Sequence, residues 1–237
     1  MGIKVGAVLV FLLFLNWARS FYTDWLWFQG VGQEDVLVTM AVARAVIFVL
    51  ALVVFLALAV PNVLFAYRST DSPPILHKDG LSQEDHDFAR KLLLRAFLGI
   101  AVLFSLLLAG GPALEWEKVL LYLNRVPFGE VDPIFNRDFG FFIFTLPAVE
   151  LLRAWLMSVV ITVALMLAGF YYLTSRMRSD LSSFLPKARA QLALLGAALL
   201  LLVAAGHWLG RYELLYSPTG AVYGVGYTDN FINLPGR

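Results

Sequence analysis

Val36–Val60 reads VLVTMAVARAVIFVLALVVFLALAV, a run of 25 residues whose only polar members are Thr39 and Arg44. At 1.5 Å per residue it extends about 38 Å as an α-helix, enough to cross roughly 30 Å of hydrocarbon. Lipid offers no partner to backbone N–H and C=O groups, so a segment inside it must satisfy its own bonds, as a helix does. Four more stretches share this character: Ile3–Ala18, Ala96–Leu114, Ala154–Tyr172 and Ala190–Leu209. The pattern predicts an all-α, polytopic transmembrane helical bundle of about five spans over residues 1–209. Outward-facing interfacial helices and loops occupy 115–147, and an extracytoplasmic tail occupies 210–237.

Composition points the same way. Hydrophobic residues make up 60% of the chain and charged residues 15%, against about 25% charged in soluble domains. The 19 Phe, 9 Tyr and 6 Trp suit a protein with wide membrane–water interfaces. A formal net charge of +1 provides no field to recruit nucleic acid. Cysteine is absent, which removes disulfides, thiolate catalysis and Cys-based metal sites together. The apolar run after Lys4 ends in Asn16–Ser20, a poor cleavage site, so it reads as an uncleaved signal anchor.

Lys and Arg set the orientation. Lys4 precedes the first span, the second connection holds Arg68, Lys78, Arg90 and Lys91, and the fourth holds Arg176, Arg178, Lys187 and Arg189. The first connection has Arg19 against Asp24, Glu34 and Asp35, while the third dilutes three bases among five acids from Glu115 to Asp138. The positive-inside rule therefore places the N-terminus, second and fourth connections in the cytoplasm, and the C-terminus outside. Five spans require the same arrangement.

The connections carry most of the polar chemistry. Phe21–Phe28 is an aromatic cluster, expected as an interfacial belt or short surface helix, with an aromatic cage as the sharper alternative. Asp71–Pro74 is turn chemistry, and Ser82 with Asp85 has capping-box spacing for a helix running straight into the third span. His77, Asp85, His86 and Asp87 lack the ordered spacing of metal ligands. Glu115–Val126 has amphipathic spacing and is expected along the outer surface, followed by Phe139–Pro147 as a re-entrant or surface-lying segment. Asp132, Asn136 and Asp138 loosely resemble a calcium loop, without its glycine and terminal Glu. In the tail, Ser217–Gly220 suits a type I turn, and Gly220, Gly224 and Gly226 have no strand, helix or Lys-Ser/Thr to make a phosphate loop.

Ionisable groups in or near the bilayer mark candidate functional sites. Arg95, Arg153 and His207 lie close enough to span ends to snorkel. Arg44 would stand at the outer boundary if Ala45–Phe65 alone spans, with Glu34–Ala43 as a lead-in. The alternative is an outer-side polar cluster of Arg44, Glu150, Arg153 and His207. No chain of acids or histidines crosses the membrane centre, and no catalytic, cofactor or metal set is read. Small residues at Gly99, Gly110, Gly111, Gly169, Gly196–Ala198 and Ala204–Gly206 offer close-packing faces. Few Ser, Thr, Asn or Gln are present to knit the spans by hydrogen bonds.

Three stretches recur in register with a known family: Phe21–Phe28 running into Gly32–Asp35, Asp132–Phe139 with Phe144–Pro147, and Arg211–Tyr216 with Gly224–Asp229. In order and spacing the whole chain resembles the N-terminal membrane region of uncharacterised protein family 0182, large multi-pass bacterial membrane proteins. The resemblance implies about seven spans followed by a big extracytoplasmic domain, so further helices or a partner domain are expected beyond Arg237. It implies no activity and no catalytic residues. The function read is structural: anchoring, in the bacterial inner membrane, of an assembly that contacts membrane lipids and other subunits or an extracytoplasmic domain. Tyr212, Tyr216, Tyr223, Tyr227 and Asp229 form the candidate partner-contact segment. The alternatives are a transporter or channel component, and an envelope enzyme acting on a lipid-linked substrate at the outer leaflet. Reporter fusions after Thr70 and Arg178 should behave as cytoplasmic, and fusions after Pro127 and Gly220 as exported; reversal of either pair would overturn the topology.

Overall fold

The computed structural model describes residues 2–70, 83–176, 185–216, 224–227 and 231. Regular structure there is helical: α1 Gly2–Gly30, α2 Glu34–Ser69, α3 Gln83–Leu114, α4 Trp116–Leu123, α5 Leu146–Arg176 and α6 Leu185–Glu213. A π-helical turn, Phe141–Thr145, leads into α5, and a 3-10 turn, Leu214–Tyr216, follows α6. Among the described residues, four helical stretches are long and apolar enough to cross a membrane: Glu34–Ser69, Asp87–Leu114, Phe141–Arg176 and Pro186–Glu213. The first expected span lies within α1, but the side chains of residues 1–10 are outside those described. The expected turns at Asp71–Pro74 and Ser217–Gly220, His77, and Ser82 of the capping pair also lie outside the described residues.

The chain divides into two compact units, Met1–Val46 and Ile47–Arg237. In the first, α1 runs without a break through the aromatic cluster, so Phe21–Phe28 is the end of a long helix and not a separate surface element. Tyr22, Trp25 and Trp27 are exposed there. The helix ends at Gly30, and Gly32 in the following turn has a φ of +67°, the left-handed geometry that a glycine after a helix permits. The Gln33 N–H closes the turn on Phe28 O at 2.9 Å.

In the second unit α5 packs against both α3 and α6. Phe55, Ala59, Val63 and Ala66 of α2 recur at helical spacing and enter one core with Phe97 and Ala101 of α3 and Val159, Val163, Leu167 and Phe170 of α5. Phe97 meets Phe170 edge to face, with ring centroids 5.3 Å apart. The opposite helix faces remain apolar and exposed, for example Leu103 and Leu107 of α3 and Leu194, Leu200 and Leu201 of α6. A lipid-facing surface has this composition.

Two expectations need correction. Gly99, Gly110, Gly111 and Gly196 have open space where a Cβ would be, so they are not packing contacts within this chain. Gly169, by contrast, lies against the Phe97 ring, and buried alanines such as Ala59, Ala66, Ala101, Ala109 and Ala188 also line the helix contacts. Polar side chains also do more knitting than their number suggests. The Tyr171 hydroxyl donates to Gln191 Oε1 at 2.6 Å, and Gln191 Nε2 donates to Asn62 Oδ1 at 2.7 Å and Asn62 O at 3.0 Å, linking α5, α6 and α2. Near the end of α2, an Arg90 Nη2–H donates to Tyr67 O at 2.8 Å while the guanidinium lies 4.0 Å from the Tyr67 ring centre.

Pro112 supplies the third link. Having no N–H, it cannot donate to Leu108 O four residues back. The Trp155 Nε1–H of α5 donates to that oxygen instead, at 3.0 Å. Trp155→Phe should therefore destabilise the bundle by about 1 kcal/mol. In a Pro112→Ala background, where the restored backbone N–H can satisfy Leu108 O, the same change should cost much less. Reversible unfolding of the four proteins of this cycle in micelles checks the coupling; additive effects would refute it.

Candidate functional site

Glu150 and Arg153, two of the polar groups the sequence marks, lie near the start of α5, which packs against α4 and α6. Leu114 closes α3, Glu115 makes the corner, and α4 begins at Trp116, so α4 starts one residue beyond a membrane-spanning helix. Its eight residues pack against α5 and the π-helical turn, yet none of them is buried. Phe139–Pro147, expected as a re-entrant or surface-lying segment, is continuous with α5 from Phe141 onward. Pro147 has no N–H to offer, and Leu146 N–H reaches back five residues to Phe141 O, giving the wide turn.

Residues 124–140 fold into a compact loop organised by two carboxylates. Asp132 is buried, and its Oδ2 accepts from the N–H groups of Ile134 at 2.9 Å and Phe135 at 2.6 Å. Asp132 N–H donates to Arg137 O at 2.8 Å, and Asn136, at φ +50°, turns the chain between them. Asp138 Oδ1 accepts from Phe128 N–H at 3.1 Å and Gly140 N–H at 2.7 Å, and Oδ2 from Gly129 N–H at 3.0 Å. Asp132 and Asp138, two of the residues that loosely resembled a calcium loop, thus hold backbone donors. Gly140 is obligatory at its position, since a Cβ would stand 2.8 Å from both Val126 O and Asp138 Oδ1.

The loop rests on the end of α6. Tyr212 is buried among Phe135, Phe141 and Phe142, with ring centroids 4.8, 5.1 and 6.0 Å away. Of the candidate partner-contact residues, Tyr212 is therefore turned inward in this chain. Tyr227 is exposed and stacks on Phe231 at 4.5 Å. Tyr223, Asp229 and the side chain of Tyr216 lie outside the described residues.

Beside this aromatic cluster is a mixed-charge joint. The Glu150 carboxyl of α5 faces Glu213 of α6, with Arg153 and Lys118 close enough to act on it electrostatically. Lys118 also pairs with Glu115 at 2.9 Å. The Arg153 guanidinium lies over Gly206, where a Cβ would come within 2.7 Å of Nη1, and its Nε is buried with no hydrogen-bond partner among the described residues. Of the four residues in the predicted polar cluster, Glu150 and Arg153 come together here. His207 follows Gly206 but is exposed, and Arg44 belongs to the other unit. Glu213 and Lys118 are partners the sequence reading missed; Glu213 stands one turn beyond the last apolar stretch, the only signal that could have found it. Arg211 stacks over Trp208 at 3.5 Å on the same helix end.

The family model of the Uncharacterised protein family (UPF0182) matches residues 1–237. The chain belongs to this family. A UPF0182 protein of Cupriavidus necator is 34% identical over 98% of this chain and 26% of the relative. One from Synechococcus sp. strain JA-2-3B'a(2-13) is 34% identical over 99% of the chain and 25% of the relative. One from Rhodococcus jostii is 36% identical over 91% and 23%. The chain thus spans about a quarter of the length of these family members. No solved structure matches the chain.

Asp138 makes the loop sensitive to acid. The Phe128 N–H is the main cause that holds its carboxyl below the ordinary 3.8; the Gly140 and Gly129 N–H groups add to this and desolvation opposes it. Because the folded value is the lower one, its stabilising contribution is complete above the unfolded value and is lost as pH falls through the folded one. The amide signals of Phe128, Gly129 and Gly140 in micelles should stay dispersed at neutral pH and collapse together in that acidic window. Asp138→Ala should show the collapsed pattern at every pH; dispersed signals in that variant would remove Asp138 from its organising role.

Proposed function

We propose that this chain is the anchoring membrane region of a bacterial inner-membrane assembly, with its N-terminus in the cytoplasm and its loop end outside. One observation carries the reading. In the second unit the polar side chains hold helices and loop to each other, as in Tyr171–Gln191–Asn62, Trp155–Leu108 and the Asp132 and Asp138 turns, while the outer helix faces stay apolar. A rigid bundle with a structured end suits the holding of other helices or an extracytoplasmic domain. The exposed Tyr227 and Phe231 supply an aromatic contact of the kind interfaces favour. The length of the relatives beyond the matched quarter leaves room for such a domain.

A transport role draws on a different observation, the facing Glu150 and Glu213 beside Arg153. Ionisable groups at a helix–helix joint in a membrane protein are a common element of ion pathways. The two readings separate experimentally. A photo-crosslinker at Tyr227, in protein expressed in its native membrane, should join the chain to another envelope polypeptide or domain identified by mass spectrometry. Liposomes containing the chain alone should show no ion flux. A homogeneous 26.4 kDa monomer without crosslinks would overturn the anchoring reading, and flux abolished by Glu150→Gln would favour transport.

A further inference from the structure

Helix α4 and the residues that flank it present an exposed edge with an unusual make-up. Lys118 and Leu121, one turn apart on α4, are 44% and 48% exposed; Leu114, which ends α3, is 76% exposed, and Arg125 follows the helix two residues past Leu123. Apolar bodies and basic tips, with Lys118 paired to Glu115, therefore lie side by side along this edge. Arg125 bends back along the helix end, its guanidinium 4.5 Å from the Tyr122 ring centre and an Nη1–H on Tyr122 O at 3.0 Å. That arrangement keeps a cation over an aromatic face while leaving its other donors available. The apolar edge continues past the helix through Val126 and Phe128, both more than half exposed.

Depth follows from the flanking helices. The apolar stretch of α3, Ala96–Leu114, spans about 28 Å at the helical rise, close to the hydrocarbon thickness, so Leu114 falls at its edge. The one-residue corner at Glu115 then starts α4 at that level. Packing against α5 and the π-helical turn at its head keeps α4 at the same end of the bundle. Glu150, near Lys118, and Glu213 facing it put carboxyls at that level too. This is where headgroups begin, and long basic side chains there bury their stems and keep their charges wet. Water alone would leave Leu114, Leu121 and Phe128 solvated with no compensating contact.

We propose that α4 and the adjoining loop edge lie in the headgroup layer of one leaflet, with Leu114, Leu121 and Phe128 in lipid and Lys118 and Arg125 on lipid phosphate. The bilayer surface is the occupant because this face is continuous with a membrane span and combines apolar and basic groups in the manner of in-plane helices. The inference holds whether the protein anchors or transports.

Because the chain has no cysteine, single cysteines carrying a spin label can be placed without background. Labels at Leu121 and Phe128 are compared, in phosphatidylcholine–phosphatidylglycerol nanodiscs, with Leu103 on the exposed apolar face of α3 and Asp87 ahead of its apolar stretch. Collision with oxygen reports lipid, and collision with a water-soluble nickel chelate reports water. The ratio at Leu121 and Phe128 should lie several-fold above that at Asp87 and approach that at Leu103. Charge-reversed Lys118→Glu, Arg125→Glu protein should shift the Leu121 label toward water. Ratios equal to Asp87 would overturn the proposal. So would labels shielded from both reagents, which would mean that another polypeptide or a second copy covers this face. Melting temperatures of the labelled proteins matching the parent exclude misfolding as the cause of any outcome.

Discussion

Everything in the second unit depends on the absence of hydrogen-bond partners in hydrocarbon. A water-exposed bundle could leave Leu108 O to solvent when Pro112 takes away its donor. In lipid the oxygen has nowhere to turn, and an unsatisfied carbonyl costs on the order of 1–3 kcal/mol. Trp155 supplies the donor, which ties α5 to α3 at this level. Val159, Val163 and Phe170 of the same helix share one core with Phe97 and Ala101. Further along, Tyr171 meets Gln191. A defect in one helix thus becomes a tie to its neighbour.

The same rule accounts for what the sequence revealed and what it concealed. Long apolar runs announce helices because only self-satisfied backbone survives in lipid, and all four stretches from Val36 onward appear within long helices. The continuity of α3 from Gln83 into the third span was equally legible. Boundaries between apolar and aromatic segments were not. Phe21–Phe28 and Phe139–Pro147 looked separate because a turn of polar residues adjoins each apolar block, yet a helix carries a few polar residues on one face without breaking. Glu150 and Arg153 are one turn apart, and that turn is simply part of α5.

The hydrogen-bonded links were hidden for a different reason. Asn62, Trp155, Tyr171 and Gln191 are scattered over some 130 positions, each alone in apolar sequence. Periodicity detects faces, and a single polar residue on a buried face produces almost no signal. Glycine was misleading in the opposite sense. A glycine in a membrane helix suggests close packing, but here Gly99, Gly110, Gly111 and Gly196 face open space, while Gly169 and Gly206 lie against Phe97 and Arg153. In the loop, by contrast, local chemistry was strong but ambiguous. Asp132, Asn136 and Asp138 supply oxygen atoms at spacings that suit a cation as well as a turn, and only the positions of the N–H groups decide between them.

Polarity is therefore concentrated at the two ends of the second unit: Asn62, Tyr67, Arg90, Tyr171 and Gln191 at one, Lys118, Glu150, Arg153, Arg211 and Glu213 at the other. Between them the core is built from Val, Leu, Met, Ala and Phe, with Ser105 as a buried hydroxyl that donates to Val102 O of its own helix. Sliding this unit along the membrane normal would drag one charged end into hydrocarbon, at a cost of several kcal/mol per group. Its vertical position is consequently fixed far more tightly than its rotation, since the outer faces are uniformly apolar. The Asp132–Asp138 loop is fastened to the same rods through Tyr212, so its height above the hydrocarbon is set with them. The fixed depth of this unit and its apolar lateral faces are the features on which the proposed anchoring role draws.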